Sequence, residues 1–326
     1  MIVFKELKID SQHGCINSIN VLIFAQNDTK LKGDKFKYVT ASEEDKEWGL
    51  YLNVAGVATI EKNTPYPPEG HPSGYRFNLQ QGRVLQEYQL NYITEGYGIF
   101  ENSYGTFRIT PGTIIILFPG EWHRYRPLKT IGWKEHYIGF TGDMVPKLLK
   151  PDFFKKEIPI ISIDFRTELQ NTFYQILESL VNEKAGYQQI CTGLCIAYIG
   201  QIISTIKNRE FEGKEIEKKI QQACFVLRES LNKEVNASQI AKDLNIGYSY
   251  FRKMFKKYTG MSPIQYHLQL RIKKAENMLA NTTMPIKEIA FELGFQSVFY
   301  FSRLCKQKTG MNPTEMRRMG RKTNSV

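Results

Sequence analysis

The sequence predicts an α+β protein of two domains: a jelly-roll type β-barrel followed by a helix pair, then an all-α domain of two helix-turn-helix units. Three observations predict it. Short β-prone runs separated by turn residues fill about residues 50–145, a helical period takes over after residue 165, and one helix–turn–helix pattern occurs twice near the end. A chain of 326 residues is long enough for two domains. The expected division is a poorly defined extension over 1–45, the barrel over 46–160, a helical connector over 161–209 and the all-α domain over 210–326.

Composition narrows the class. Hydrophobic residues make up 42% and charged residues 24%, as in ordinary globular proteins. No apolar run is read as approaching the ~20 residues a membrane span needs. The first residues are interrupted by Lys5, Glu6, Lys8 and Asp10, unlike a signal peptide. A cytoplasmic protein with no membrane partner is therefore expected. The five cysteines (Cys15, Cys191, Cys195, Cys224 and Cys305) form no CxxC pair or disulfide-like framework and read as reduced, structural thiols. The net charge of +11 is concentrated: residues 215–326 hold 20 Lys and Arg against 9 Asp and Glu, while residues 1–214 hold 24 of each sign. A basic domain joined to a neutral one points to a polyanionic partner for the basic part.

In the neutral part, residues 86–93, 98–101, 106–109 and 113–118 read as strands, with turns at Glu95-Gly96-Tyr97-Gly98 and Thr110-Pro111-Gly112-Thr113. Close-set strands of this kind suit a sandwich or barrel of jelly-roll type. Residues 18–24 read as a strand, 28–47 as a polar and disordered stretch, and the Pro/Gly-rich 66–75 as an arm beside the barrel. No metal is expected: there are only five His, no HxH pair, and His71, His123 and His136 are scattered. A small-ligand pocket combines aromatic walls with a few polar groups. The candidates are Arg83, His123, Tyr125, Glu135 and Tyr137, with Tyr88 and Trp133 nearby. Tyr125 and Tyr137 equally suit a barrel core.

From residue 165 to 209 two helical stripes follow, Leu169, Phe173, Ile176, Leu177, Leu180 and then Ile190, Leu194, Ala197, Tyr198, Ile202, separated at Gly186. They suit either a dimerisation surface or packing against the barrel.

The duplicated segment spans 240–263, IAKDLNIGYSYFRKMFKKYTGMSP, and 289–313, IAFELGFQSVFYFSRLCKQKTGMNP. Ala241 corresponds to Ala290, Leu244 to Leu293, Phe251 to Phe301, and Thr259-Gly260-Met261 to Thr309-Gly310-Met311. Each copy reads as a short helix, a turn and a second helix, with Ser238 and Ser297 as expected N-caps. A ~12 Å major groove admits one α-helix whose outer face reaches base edges. That face carries Ser249, Arg252, Lys253, Lys256 and Lys257 in the first copy, and Val298, Phe299, Ser302, Arg303 and Lys306 in the second. Arg252 and Arg303 suit bidentate contacts with guanine, Phe299 or Val298 a thymine methyl, and the lysines, Lys308 included, the phosphates. Between the copies a helix from Pro263 to about Asn281, with Ile264, Leu268, Ile272, Ala275 and Leu279 on one stripe, would span ~27 Å and set the two units about one DNA turn apart.

Residues 284–317, MPIKEIAFELGFQSVFYFSRLCKQKTGMNPTEMR, closely resemble the signature of AraC/XylS-type transcription regulators, within a resemblance covering about 216–318. Cys305 and Met316 depart from it where aromatics are usual. Residues 92–127 are similar to the cupin-like sensor domain of sugar-responsive members. Arg83, His123, Tyr125 and Tyr137 fall where arabinose-responsive relatives place sugar contacts. The resemblance implies a DNA-binding regulator rather than an enzyme, with no catalytic residues and no cofactor. Its implied partners are double-stranded promoter DNA, a small-molecule effector such as a sugar, a second copy of the chain, and RNA polymerase. In such a regulator, ligand would change which half-sites are engaged. Two rivals remain open: a regulator controlled by a protein partner or by its abundance, and a DNA-repair alkyl-transfer enzyme, which needs an activated Cys or a four-Cys zinc site.

Overall fold

The computed structural model describes residues 35–67 and 79–323. The chain divides into two compact units between Ile206 and Lys207. The strand expected over 18–24, Cys15, and His71 with most of the 66–75 arm lie outside the described residues.

The first unit holds two antiparallel sheets. The larger has the strand order β1 (Lys35–Tyr38), β2 (Tyr51–Ile60), β9 (Trp133–Thr141), β4 (Tyr88–Gly96), β7 (Thr113–Leu117), β10 (Ile160–Ser162). The smaller runs β3 (Arg83–Val84), β8 (Trp122–Pro127), β5 (Gly98–Asn102), β6 (Gly105–Ile109). Side chains of period 2 divide each strand between two faces. Inward positions Ile93, Ile115, Leu117, Tyr125 and Trp133 form the core between the sheets. The alternate positions Leu90, Tyr92, Ile114, Ile116 and Ile138 point the other way, into a core shared with the helix pair. Being buried on both faces explains why β7 continues as the unbroken apolar run Ile-Ile-Ile-Leu after Thr113 rather than alternating.

The expected turns form where predicted. Gly96 takes φ +82°, and a Cβ there would stand 2.1 Å from the Gly132 carbonyl oxygen, so only glycine fits. Two expectations fail at the N-terminal side. Residues 35–47 are ordered: β1 ladders with β2, and helix α1 (Glu43–Glu47) is closed by a Ser42–Asp45 capping box. The sheet therefore begins before residue 46. Its polarity misled because β1 is an edge strand, with one side facing water.

A single turn, α2 (Val145–Leu148), precedes β10; the connector forms α3 (Thr167–Asn182) and α4 (Tyr187–Asn208), broken by left-handed Glu183 and Gly186. The whole predicted stripe of α3 is buried. In α4 the buried face is Gln188, Cys191, Thr192, Cys195, Tyr198, Ile199 and Ile202, so Ile190 (54% exposed) and Ala197 were placed on the wrong side. Polar anchoring decides this. The Gln188 amide accepts from Leu52 N (3.0 Å) and donates to Leu52 O (3.0 Å), beside a β-bulge in β2, while Thr192 Oγ1 donates to Leu50 O (2.7 Å). Both helices pack on the larger sheet. At 22 residues α4 is long and apolar enough to cross a membrane by length and composition, which corrects the expectation of no such run. Its buried face is a core surface of the β-domain.

The second unit holds two cores. The first joins α5 (Glu215–Glu229), α6 (Ala237–Asp243) and α7 (Tyr248–Thr259) around Ile220, Leu227, Ala241, Phe251 and Phe255. The second joins α9 (Ile286–Glu292), α10 (Val298–Thr309) and α11 (Pro313–Thr323) around Leu279, Ala290, Leu293, Phe301 and Leu304. Helix α8 (Pro263–Asn281) lies between them in sequence and matches the predicted bounds. Of its predicted stripe Ile272, Ala275 and Leu279 are buried, but Ile264 is 42% exposed. Two polar side chains take its place. Buried His267 donates to Ser230 O (2.9 Å) at the end of α5, and buried Arg271 donates to Leu293 O (2.5 Å) at the end of α9, its guanidinium 3.9 Å from the Phe295 ring centroid. One turn of α8 thus caps a helix end in each half.

Candidate functional site

Helices α7 and α10 are copies of one device. Each has 12 residues and ends on a left-handed glycine, Gly260 at φ +81° and Gly310 at φ +80°. The repeated Thr-Gly-Met has a mechanical cause. Thr259 Oγ1 donates to Phe255 O (2.8 Å) and accepts from Met261 N (3.2 Å); Thr309 Oγ1 donates to Cys305 O (2.9 Å) and accepts from Met311 N (3.3 Å). The start of α10 is capped by Ser297 as expected. The first short helix, α6, is capped by Asn236, not Ser238: the Asn236 amide oxygen accepts from Ser238 N and Gln239 N, so the helix begins two residues earlier.

The apolar side of each helix is buried, Phe251, Met254 and Phe255 in α7, Phe301, Leu304 and Cys305 in α10. The other side faces water. Ser249, Arg252, Lys253, Lys256 and Lys257 are exposed on α7, and Phe299, Arg303 and Lys306 on α10, with Ser302 half-buried. Val298 is also half-buried and packs on the second core. Arg252 lies 5.8 Å from the Tyr248 ring centroid and Arg303 5.8 Å from that of Tyr300, which holds both guanidinium groups against their own helix. Superposing Phe251 on Phe301 pairs Lys253 with Arg303, and Arg252 with Ser302. The two outer faces are alike in charge but not in side chain. Lys257 is in an ion pair with Glu210 (2.5 Å).

The five barrel candidates converge between the sheets. On the smaller sheet Arg83 Nε donates to His123 Nε2 (3.1 Å), and Arg83 Nη2 donates to Tyr125 Oη (2.7 Å). Across the gap Asn91 Nδ2 on β4 donates to the same Tyr125 Oη (3.2 Å). Glu135 and Tyr137, both buried, point inward from β9, where Tyr137 stands opposite Asn91. Trp133 joins them, its ring 5.9 Å from Tyr125 and 6.1 Å from Tyr66. Tyr88 does not: it stacks on Phe140 at 6.2 Å, on the helix-covered face. Burial, reinforced by the Arg83 charge, drops His123 to about 3, so it stays neutral. Burial pushes Tyr125 up to about 12 against the pull of Arg83, with the Glu135 charge adding to the rise.

Two known domains match this architecture. The family described as AraC-like ligand binding domain matches residues 66–199, and the family described as Helix-turn-helix domain matches residues 240–319. The lactose operon transcription activator of Staphylococcus xylosus is 25% identical over 226 residues, covering 68% of this chain and 80% of that protein. The arabinose operon regulatory protein of Escherichia coli strain K12 is 24% identical over 303 residues, covering 90% and 94%. The chain joins an AraC-like ligand-binding domain to an AraC-type helix-turn-helix domain, and these relatives are AraC/XylS-family regulators. Among solved structures, the C-terminal domain of AraT, a response regulator from Geobacillus stearothermophilus, is 27% identical with a TM-score of 0.31, covering 32% of this chain and 88% of that one.

In this AraC-type regulator the residues missed by sequence reading are Asn91 and Tyr66. Asn91 had a readable signal: with Gln89 it is polar at alternate positions of the otherwise apolar and aromatic stretch Tyr88–Ile93, which marks an inward polar lining. Tyr66 carried none beyond its Pro-rich surroundings. The described cysteines Cys191, Cys195, Cys224 and Cys305 are free and buried, and burial pushes the Cys191 and Cys305 thiols up to about 12. Such thiols are inert, the opposite of what alkyl transfer needs.

Proposed function

We propose that this regulator binds double-stranded promoter DNA by laying α7 and α10 in successive major grooves, and that the barrel interior receives a small polar effector, a sugar before other classes. One observation carries the DNA reading: both second helices of the repeat turn a basic outer face to solvent while their inner faces fill separate cores. Arg252 and Arg303 are assigned to base edges, with Ser249, Lys253, Val298, Phe299 and Ser302 around them. Lys256, Lys257 and Lys306 are assigned to phosphates. Selection from a random duplex library with the full chain tests this. A defined bipartite consensus is expected, and retention of random sequence alone would overturn it.

The sugar reading is supported by the relatives' operons and by the makeup of the interior. Aromatic rings of Tyr66, Tyr125 and Trp133 stand beside Arg83, Asn91 and Glu135. Rings stack on sugar faces and the polar groups bond hydroxyls. Two buried polar atoms there, Asn91 Oδ1 and Trp133 Nε1, have no hydrogen-bond partner. Thermal melting against a panel of mono- and disaccharides tests it: one sugar should raise the Tm, and Arg83→Ala should abolish the shift.

A second reading is favoured by the Arg83–His123–Tyr125–Asn91 chain of hydrogen bonds, which already ties the two sheets together. On that reading the interior is a structural core and no effector exists. Arg83→Ala would then lower the Tm without any sugar dependence. Dimerisation through the connector, a cytoplasmic setting and contact with RNA polymerase complete the proposal. An ultracentrifugation mass of one chain would remove the dimer.

A further inference from the structure

We infer that Phe299 reads the C5-methyl group of a thymine, and that this apolar contact is made by the second helix-turn-helix unit and not at the equivalent position of the first. The inference rests on the DNA reading above and assigns one side chain within it. Phe299 is 78% exposed, more than any other exposed large apolar side chain among the described residues. A single exposed apolar group is unremarkable on most surfaces. Its place is what matters here. The inner face of α10 is already filled by Phe301 and Leu304, so the ring has no core to enter. Its neighbours are both engaged: Val298 packs on the second core, and Tyr300 lies between Phe295 (ring centroids 6.2 Å) and the Arg303 guanidinium.

The ring forms one wall of a shallow, open depression lined also by Ser302, Arg303, Lys306, Gln307 and Asn312. That is an apolar spot within a basic and hydrogen-bonding rim. The major groove offers one apolar group among its donors and acceptors, the thymine methyl. In α7 the corresponding residue is Ser249, which has no ring to offer. The two units therefore differ in what they can read at this position of the helix.

The test starts from the duplex selected by the full-length chain. Each thymine is replaced singly by uracil, which pairs identically but lacks the methyl, and affinity is measured for the native chain, Phe299→Ala and Phe299→Leu. The native chain should lose about fourfold at one thymine, the equivalent of one buried methyl-sized group. Phe299→Ala should bind the unmodified duplex about as weakly as the native chain binds that uracil duplex, and should show no further loss on it. Phe299→Leu should keep part of the sensitivity. Equal sensitivity in native and Phe299→Ala chains would overturn the inference, as would a native chain indifferent to every methyl. Unchanged DNA affinity in Phe299→Ala with reduced transcription in a purified polymerase assay would assign the ring to a protein partner instead. If selection yields no consensus, the DNA reading itself fails and takes this assignment with it.

Discussion

Arg252 and Arg303 carry a different expectation from Lys256. A bidentate guanidinium contact discriminates between bases, so Arg252→Ala and Arg303→Ala should each cost about 1–3 kcal/mol on the selected duplex and relax preference at one base position. Lys256→Ala should weaken selected and random DNA alike and lower the salt slope by about one counterion. Lys257→Ala should lower it less, because Glu210 already holds that ammonium. Affinities measured across a salt series separate these roles, and equal losses on both kinds of DNA for all three would remove the assignment. Histidine makes a second prediction at this scale. Burial lowers both His123 and His136 to about 3, well below the ordinary 6.5, so the unfolded chain binds more protons than the folded one between those values. Stability from these groups is complete above about pH 6.5 and is lost on acidification toward 3, by up to ~1.4 kcal/mol per pH unit for each histidine. Urea melts at pH 7 and pH 5 should show the loss, and His136→Phe should reduce its slope.

At the scale of elements, the spacer helix α8 and the caps decide how the repeat is held. Arg271 gives its Nε proton to the Leu293 carbonyl, the orphan acceptor at the end of α9. Arg271→Met keeps the apolar stem and removes that bond. It should cost about 1.5–3 kcal/mol in denaturant melts and weaken contacts to the half-site read by α10. Footprinting should show the other half-site protected as before. Asn236→Ala should cost about 1 kcal/mol through loss of the α6 cap, while Ser238→Ala should cost almost nothing, reversing what the sequence pattern suggested. The cap was misread because Asn236 and Ser238 are both competent residues two apart. Which one serves depends on where the chain turns after Ser230, and nearby residue types do not record that.

At the scale of the molecule, the charge division becomes a division of labour. The excess charge lies in the unit that carries the repeated helices, +12 over residues 207–326 against −1 over residues 1–206, and the near-neutral unit holds the hydrogen-bonded interior. Salt should therefore govern DNA affinity steeply while leaving the thermal stability of the β-domain almost unchanged. Calorimetry and binding measured over the same salt series check this, and a β-domain transition that moved in step with DNA affinity would contradict it.

Sequence by itself determined whatever depends on local period and on duplication. The strands over 98–102 and 113–117, the bounds of the spacer helix, the glycine-ended second helices of the repeat and their basic outer faces were all legible, because pleat, helix turn and the Thr-Gly-Met cap are short-range. Tertiary structure decided what depends on partners distant in the chain. It turned α4 by the anchoring of Gln188 on β2 and of Thr192 on Leu50 just before that strand, and brought β1 out of a polar stretch by pairing it with β2. It also set Asn91 and Tyr66 beside residues that sequence had already named. A buried hydrogen bond between residues far apart in the chain leaves no periodic trace, and only the folded chain reveals which polar group it satisfies.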